Sequence, residues 1–369
     1  FMKLFKSLLV APATLGLLAP MSATANEITI NDFNPAIENT LLAGGEGLVE
    51  DQSYDGGFSE TTTASFSADF AIGAVDGVAA EDAVQALYGF QIDLNTSFTG
   101  EDSLDISIDA GNGGNGLTQI DLNESGTGDD VLSVDGISYT FPLGDKITIG
   151  VGNDYAGSSL YSTACVYGGP TKSLDDCGNA SSAMDASEAT GLSASFDIGN
   201  GFAAAIGYEG EGDNSDGLLT TQGTDTYGGQ ISYSADQYAA SVTYATYDTP
   251  ATDTTYLGLN AYWAPEETGT AVPSISLGYE TGNPGNTTVD TTHYFVGLQW
   301  DEMGPGTFGM AFGTQQHYAE NATEFLEYEA FYSYPVNDGM TITPLIFVRE
   351  TAEGTDDETG LAVKTSFSF

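Results

Sequence analysis

Carboxylates are the residues best placed to do chemistry in this chain. There are 53 Asp and Glu against 6 Lys and Arg, a formal net charge of -47. Asp69, Asp93, Asp105, Asp109, Asp197, Glu327 and Glu329 fall on the polar parity of alternating segments, and so do the cations Lys146, Arg349 and Lys364. Arranged around a narrow aqueous passage, acids of one sign raise the local cation concentration and repel anions. Arranged on a solvated face, they do no more than hydrate. A second group, Lys172, Asp175, Asp176 and Asp185, surrounds the two cysteines, Cys165 and Cys177. No histidine or third cysteine stands near that pair to complete a zinc site. In an exported chain the two cysteines are expected to form a disulfide.

Catalytic chemistry finds less support. The chain has 2 histidines: His293 shares the inward parity of its segment and His317 falls in a connection. A lipid-hydrolysing barrel needs Ser and His together on the lipid side, and neither position suits. G-x-S-x-G, the P-loop and the dinucleotide fingerprint are all missing. "GNGGNGLTQI" at 111 to 120 faintly resembles a calcium-binding nonapeptide but lacks its Asp and does not repeat. No catalytic residue, cofactor or metal site is therefore expected, although loop carboxylates are numerous enough to bridge calcium. The excess of acid argues against binding nucleic acid, or anionic headgroups, through a basic patch.

The elements that must position these residues read as strands. "ASFSADFAI" puts Phe66, Ala68, Phe70 and Ile72 on one face, and "SISLGY" and "YFVGLQW" repeat the pattern with Ile275, Leu277 and Tyr279 and with Tyr294, Val296, Leu298 and Trp300. A period of two means one apolar and one polar face. About sixteen such segments follow one another from residue 58 to 369. Connections after even-numbered segments are tight, as in "TGE", "PLG" and "GN". Several after odd-numbered segments are long and polar: 111 to 130, 155 to 187 and 211 to 223. Tight turns at one end and long loops at the other predict an all-β, transmembrane, antiparallel up-and-down β-barrel. A soluble sandwich would give the same alternation. Aromatic placement separates the two: Phe98, Phe141, Phe196, Phe202, Tyr233, Tyr238, Trp263, Trp300, Phe308, Tyr334 and Phe369 all stand at strand ends beside the tight turns. A barrel needs an aromatic girdle there, and a sandwich does not.

The first residues supply an address. "MKLFK", the apolar "SLLVAPATLGLLAP" and "MSATA" form a signal peptide over 1–25 with cleavage before Asn26. Residues 26–57 are read as a short N-terminal periplasmic segment, and 58–369 as the barrel.

The signal peptide, "FSETTTASFSADFAIGAVDG", "LNTSFTGED", "SYTFPLGDKITIGVG" and the stretch from "YEAFYSYPVNDGM" to "GLAVKTSFSF" resemble cyanobacterial outer-membrane porins, the iron-uptake group related to carbohydrate-selective porins. The resemblance implies a passive channel for small hydrophilic solutes and inorganic ions in the bacterial outer membrane, surrounded by its lipid and either a homotrimer or a monomer. The closing strand with its terminal aromatic also resembles the insertion signal read by the outer-membrane barrel assembly machinery. Members of that group usually carry a peptidoglycan-anchoring domain and a coiled coil before the barrel, for which 26–57 leaves no room. In sixteen-stranded porins the third outer loop commonly folds inward, which would set Lys172, Asp175, Asp176 and Asp185 at a constriction; a stiffened surface loop fits the sequence equally. The channel is expected to prefer cations and not to be an enzyme. The alternative is a secreted acidic β-rich surface-layer or adhesin protein.

Overall fold

The computed structural model describes residues 62–77, 83–113, 117, 119–122, 130–174, 177, 190–212, 217–352 and 355–369. The expected signal peptide and the 26–57 segment lie outside them. Within them, sixteen long strands and one two-residue strand form a single antiparallel sheet: β1 Thr62–Asp76, β2 Gln85–Thr96, β3 Ser103–Gly111, β4 Ser133–Leu143, β5 Ile147–Asn153, β6 Thr190–Gly199, β7 Phe202–Gly210, β8 Asp225–Ser234, β9 Tyr238–Asp248, β10 Asp253–Trp263, β11 Ser274–Pro284, β12 Thr291–Met303, β13 Gly306–Thr314, β14 Tyr318–Ala319, β15 Leu326–Asn337, β16 Met340–Arg349 and β17 Glu358–Ser368. Each long strand pairs with its neighbours in sequence, apart from β13, which pairs directly with β15 because β14 is a short flap on β12. β17 returns to β1 in register from Ser67↔Ser368 to Asp76↔Thr359. Closure leaves no unpaired sheet edge.

The two parities behave differently. Across β7 to β12 the register aligns Ala204, Ile231, Val242, Leu259, Tyr279 and Tyr294 in one row on the outer face. Ile231 in that row is 61% exposed, and Ile206 nearby is 66% exposed. No second sheet covers this face among the described residues, which removes the sandwich. So large an uncovered apolar surface requires hydrocarbon around it. The outer aromatics at the tight-turn end touch in pairs: Phe202 with Tyr233, Tyr233 with Tyr238, and Trp300 with Phe308, at centroid separations of 4.7, 5.9 and 5.5 Å.

The opposite face carries a core of its own. Leu117, Ile120 and Leu122 from the β3–β4 connection, with Tyr167 and Leu174 from the β5–β6 connection, pack against Val75, Leu87, Phe295, Phe331, Leu345 and Phe347 of the wall. This hydrophobic cluster lies inside the ring of strands.

Candidate functional site

The β5–β6 connection enters the barrel and runs along the inner wall. It begins at Asp154, and its described residues continue to Leu174 and include Cys177. One strand after another offers it a polar side chain. The Tyr155 hydroxyl meets the Ser193 hydroxyl of β6 at 2.8 Å. Gly157 N donates to Glu209 Oε2 of β7 at 2.8 Å. Gln230 of β8 accepts from Ser162 N at 2.7 Å and donates back to the Ser162 carbonyl at 2.9 Å. Asn260 of β10 donates to the Thr163 carbonyl at 2.9 Å, and Ser276 of β11 accepts from Val166 N at 3.2 Å. Gln299 of β12 accepts from Gly168 N at 3.3 Å. At β15 the Tyr167 and Thr171 hydroxyls donate to the two oxygens of Glu329 at 2.5 and 2.6 Å, and Ser173 donates to Glu327 at 2.5 Å.

A backbone laid this close to a sheet needs wall positions without a side chain. A Cβ on Gly191 would overlap the Tyr155 carbonyl, and one on Gly207 would overlap the Gly157 carbonyl. The belt also pairs with the β3–β4 connection, through the bridge Ile120↔Thr171 and the bonds Asp121 N to Pro170 O (2.9 Å) and Lys172 N to Gln119 O (2.9 Å). Cys165 and Cys177 form a disulfide with Cα atoms 5.9 Å apart. Of the two readings left open by the sequence, the structure adopts the infolded loop. The core formed by the two connections is what the alternating pattern could not reveal, because loop residues have no parity. A signal did exist, in glycines and small amides at inward positions of adjacent strands.

The expected lumen residues separate into three groups. Asp69, Asp109, Glu327 and Glu329 point inward as their parity requires, but each is buried. Glu327 pairs with Arg349 at 3.0 Å, and Arg349 also reaches Glu358 at 3.2 Å. Asp69 pairs with Lys364 at 3.1 Å. Glu327 and Glu329 are thus taken up by the belt and by Arg349, whereas Asp69 and Lys364 line a small open cavity, and the side chains of Arg349 and Lys364 stay partly exposed at 23% and 15%. Asp93 and Asp105 remain partly exposed on adjacent β2 and β3, held by Gln91 and Ser107 and by Asn95 and Ser103 respectively, at 2.5 to 2.7 Å. Asp197 is exposed near the tight-turn rim.

Lys146 belongs to none of these groups. It sits in the β4–β5 turn with its ammonium 5.8 Å from the centroid of Phe196, a residue of the outward row. Parity does not carry into a turn, and the ring face attracts the cation, so Lys146 is moved from the lumen to the rim. Lys172 lies in the belt with its side chain exposed. Asp175, Asp176 and Asp185 lie outside the described residues.

Within the belt, burial pushes the Tyr161 hydroxyl up, and the charge of Glu209 adds to it. The two histidines meet above this level with ring centroids 5.2 Å apart. His317 Nε2 lies 2.7 Å from Glu280 Oε1, and His293 Nε2 lies 2.8 Å from the Thr314 carbonyl. Among the described residues no cluster of three or more His, Cys, Asp or Glu is arranged to hold a metal ion.

No family model and no curated protein matches the chain. Solved structures do. OprB of Pseudomonas putida aligns with a TM-score of 0.58 at 11% identity, covering 84% of this chain and 94% of that one. An anion-selective porin from Comamonas acidovorans aligns with a TM-score of 0.58 at 14% identity, covering 84% and 99%. A porin variant from Rh. blastica gives 0.50 at 15%, covering 84% and 100%. At these identities the likeness is one of fold: this chain has the closed barrel of bacterial porins.

Proposed function

We propose that this chain is an outer-membrane porin, a passive diffusion channel for small hydrophilic solutes and inorganic ions that favours cations. The observation that carries the proposal is the pairing of an uncovered apolar exterior with a polar interior narrowed by a chain segment bonded to the wall. The likeness to bacterial porin barrels supports the outer-membrane address, and the shared segments quoted above support kinship with the cyanobacterial group. The amino-terminal pattern supports removal of residues 1–25 and a periplasmic place for 26–57.

Ion preference must be argued from side chains, since the same fold serves a porin described as anion-selective. Arg349 and Lys364 are held in ion pairs, so each offsets an acid locally. Asp93, Asp105 and Asp197 keep contact with water and leave the passage net negative. Lys172 and the acids at 175, 176 and 185 are assigned to the constriction on the path of the belt. The test is the reversal potential across a planar bilayer in a potassium chloride gradient. Cation preference is expected for the native channel, weakened by the double change Asp93→Asn and Asp105→Asn. A potential of the opposite sign in the native channel would reject the charge assignment while leaving the barrel intact.

A further inference from the structure

Between the β4–β5 and β6–β7 turns lies an open cavity of about 370 Å³, lined by Asp145, Lys146, Phe196, Asp197 and Phe202 among others. It straddles the rim. Phe196 and Phe202 belong to the outward row and are 43% and 45% exposed, whereas Asp197 has inward parity. Arg349 and Lys364 are spent on buried carboxylates, but among the described residues Lys146 takes part in no ion pair and rests over an aromatic face at the girdle.

If the exterior is in lipid, as the proposed function holds, this ammonium lies at the depth of lipid phosphates. Its surroundings restrict the ligand. A cavity lined by one ammonium and two carboxylates is a poor host for a purely anionic group, since the acids repel it. It complements a zwitterion whose phosphate meets Lys146 and whose amine meets Asp145 and Asp197, with acyl chains lying along Phe196 and Phe202. This arrangement also agrees with a chain too acidic to form a basic patch. We propose that the rim cavity binds one phospholipid whose headgroup joins a phosphate to a primary amine.

The test uses the full chain reconstituted in nanodiscs of equal phosphatidylethanolamine and phosphatidylglycerol, transferred to detergent and weighed with bound lipid by native mass spectrometry. The native protein should retain phosphatidylethanolamine in preference to phosphatidylglycerol. Lys146→Ala should retain about tenfold less of it, the scale of one lost charge-assisted hydrogen bond, and Lys146→Arg should restore it. Asp145→Asn should shift retention toward phosphatidylglycerol. Soluble glycerophosphoethanolamine should compete and inorganic phosphate should not; competition by phosphate alone would identify a simple anion site and overturn the proposal. Equal retention by the native protein and Lys146→Ala, or a native preference for phosphatidylglycerol, would also overturn it. Single-channel conductance measured on the same samples separates this outcome from failure of the channel reading.

Discussion

In the β2–β3 turn, Asp102 gathers a whole connection around one carboxylate. Its Oδ1 accepts from Ser97 Oγ, Phe98 N, Thr99 N and Thr99 Oγ1 at 2.6 to 3.0 Å, and its Oδ2 accepts from Tyr139 of β4 at 2.7 Å. The Thr99 and Tyr139 hydroxyls, with help from Ser97, hold the carboxyl well below the usual aspartate range. A depressed carboxyl contributes stability above its unfolded value, near 3.8, and loses it as the pH falls through the folded one. Thermal unfolding followed by circular dichroism should therefore show the native barrel weakening on acidification below about pH 4. Asp102→Asn, which turns an NH₂ group toward donors, should begin less stable and respond less over that interval. Identical acid profiles for the two would show that the turn gains nothing from the charge. At this scale the sequence is readable only in part. Parity located Glu327 and Glu329 on the inner face, but nothing in a strand's own pattern says that a distant segment will cover them.

The strands themselves are legible because alternation is a local property: the alternating "SISLGY" and "YFVGLQW" fall inside β11 and β12. β14 was not legible, since two residues cannot establish a period. The belt was not legible either, because its stability is set by the wall. Each neutral hydrogen bond to the wall is worth about 1 kcal/mol net, while ordering each belt residue costs about 1–2 kcal/mol of backbone entropy. Hydrogen bonds alone cannot hold it there. Burial of Tyr167 and Leu174 against Phe295 and Phe331, together with the disulfide, must supply the difference. The belt is then a fixed lining that depends on close approach at a few inward glycines. Gly207→Val tests this, because valine suits a strand but its side chain would occupy the place of the Gly157 carbonyl. The barrel should still form and migrate in gels as a folded species, while single-channel conductance falls as the belt is pushed toward the axis. Native conductance in a folded Gly207→Val barrel would mean that the belt does not lie against β7.

At the scale of the whole molecule, stability depends on the seam where β17 meets β1. Beyond the strand register, Phe369 N donates to the Phe66 carbonyl at 3.0 Å, and Phe66 N donates to the Phe369 carbonyl at 2.9 Å. Their rings stack on the outer face with centroids 5.7 Å apart and planes 9° apart. Phe369 is 80% exposed, so its ring belongs to the lipid boundary and its main chain to the closure. These two contributions can be separated. Phe369→Ala keeps both backbone bonds and removes the ring pair, a loss of about 0.5–1.5 kcal/mol beyond the burial term. Deleting Phe369 removes the ring and both ladder bonds, roughly 1 kcal/mol more for each bond, and leaves Phe66 N and O without partners at the lipid boundary, where unsatisfied backbone is expensive. The deletion should therefore lower the urea midpoint of the reconstituted barrel clearly more than Phe369→Ala does. If the two variants unfold together, Phe369 acts through its ring alone and its rung of the seam contributes nothing to holding the cylinder shut.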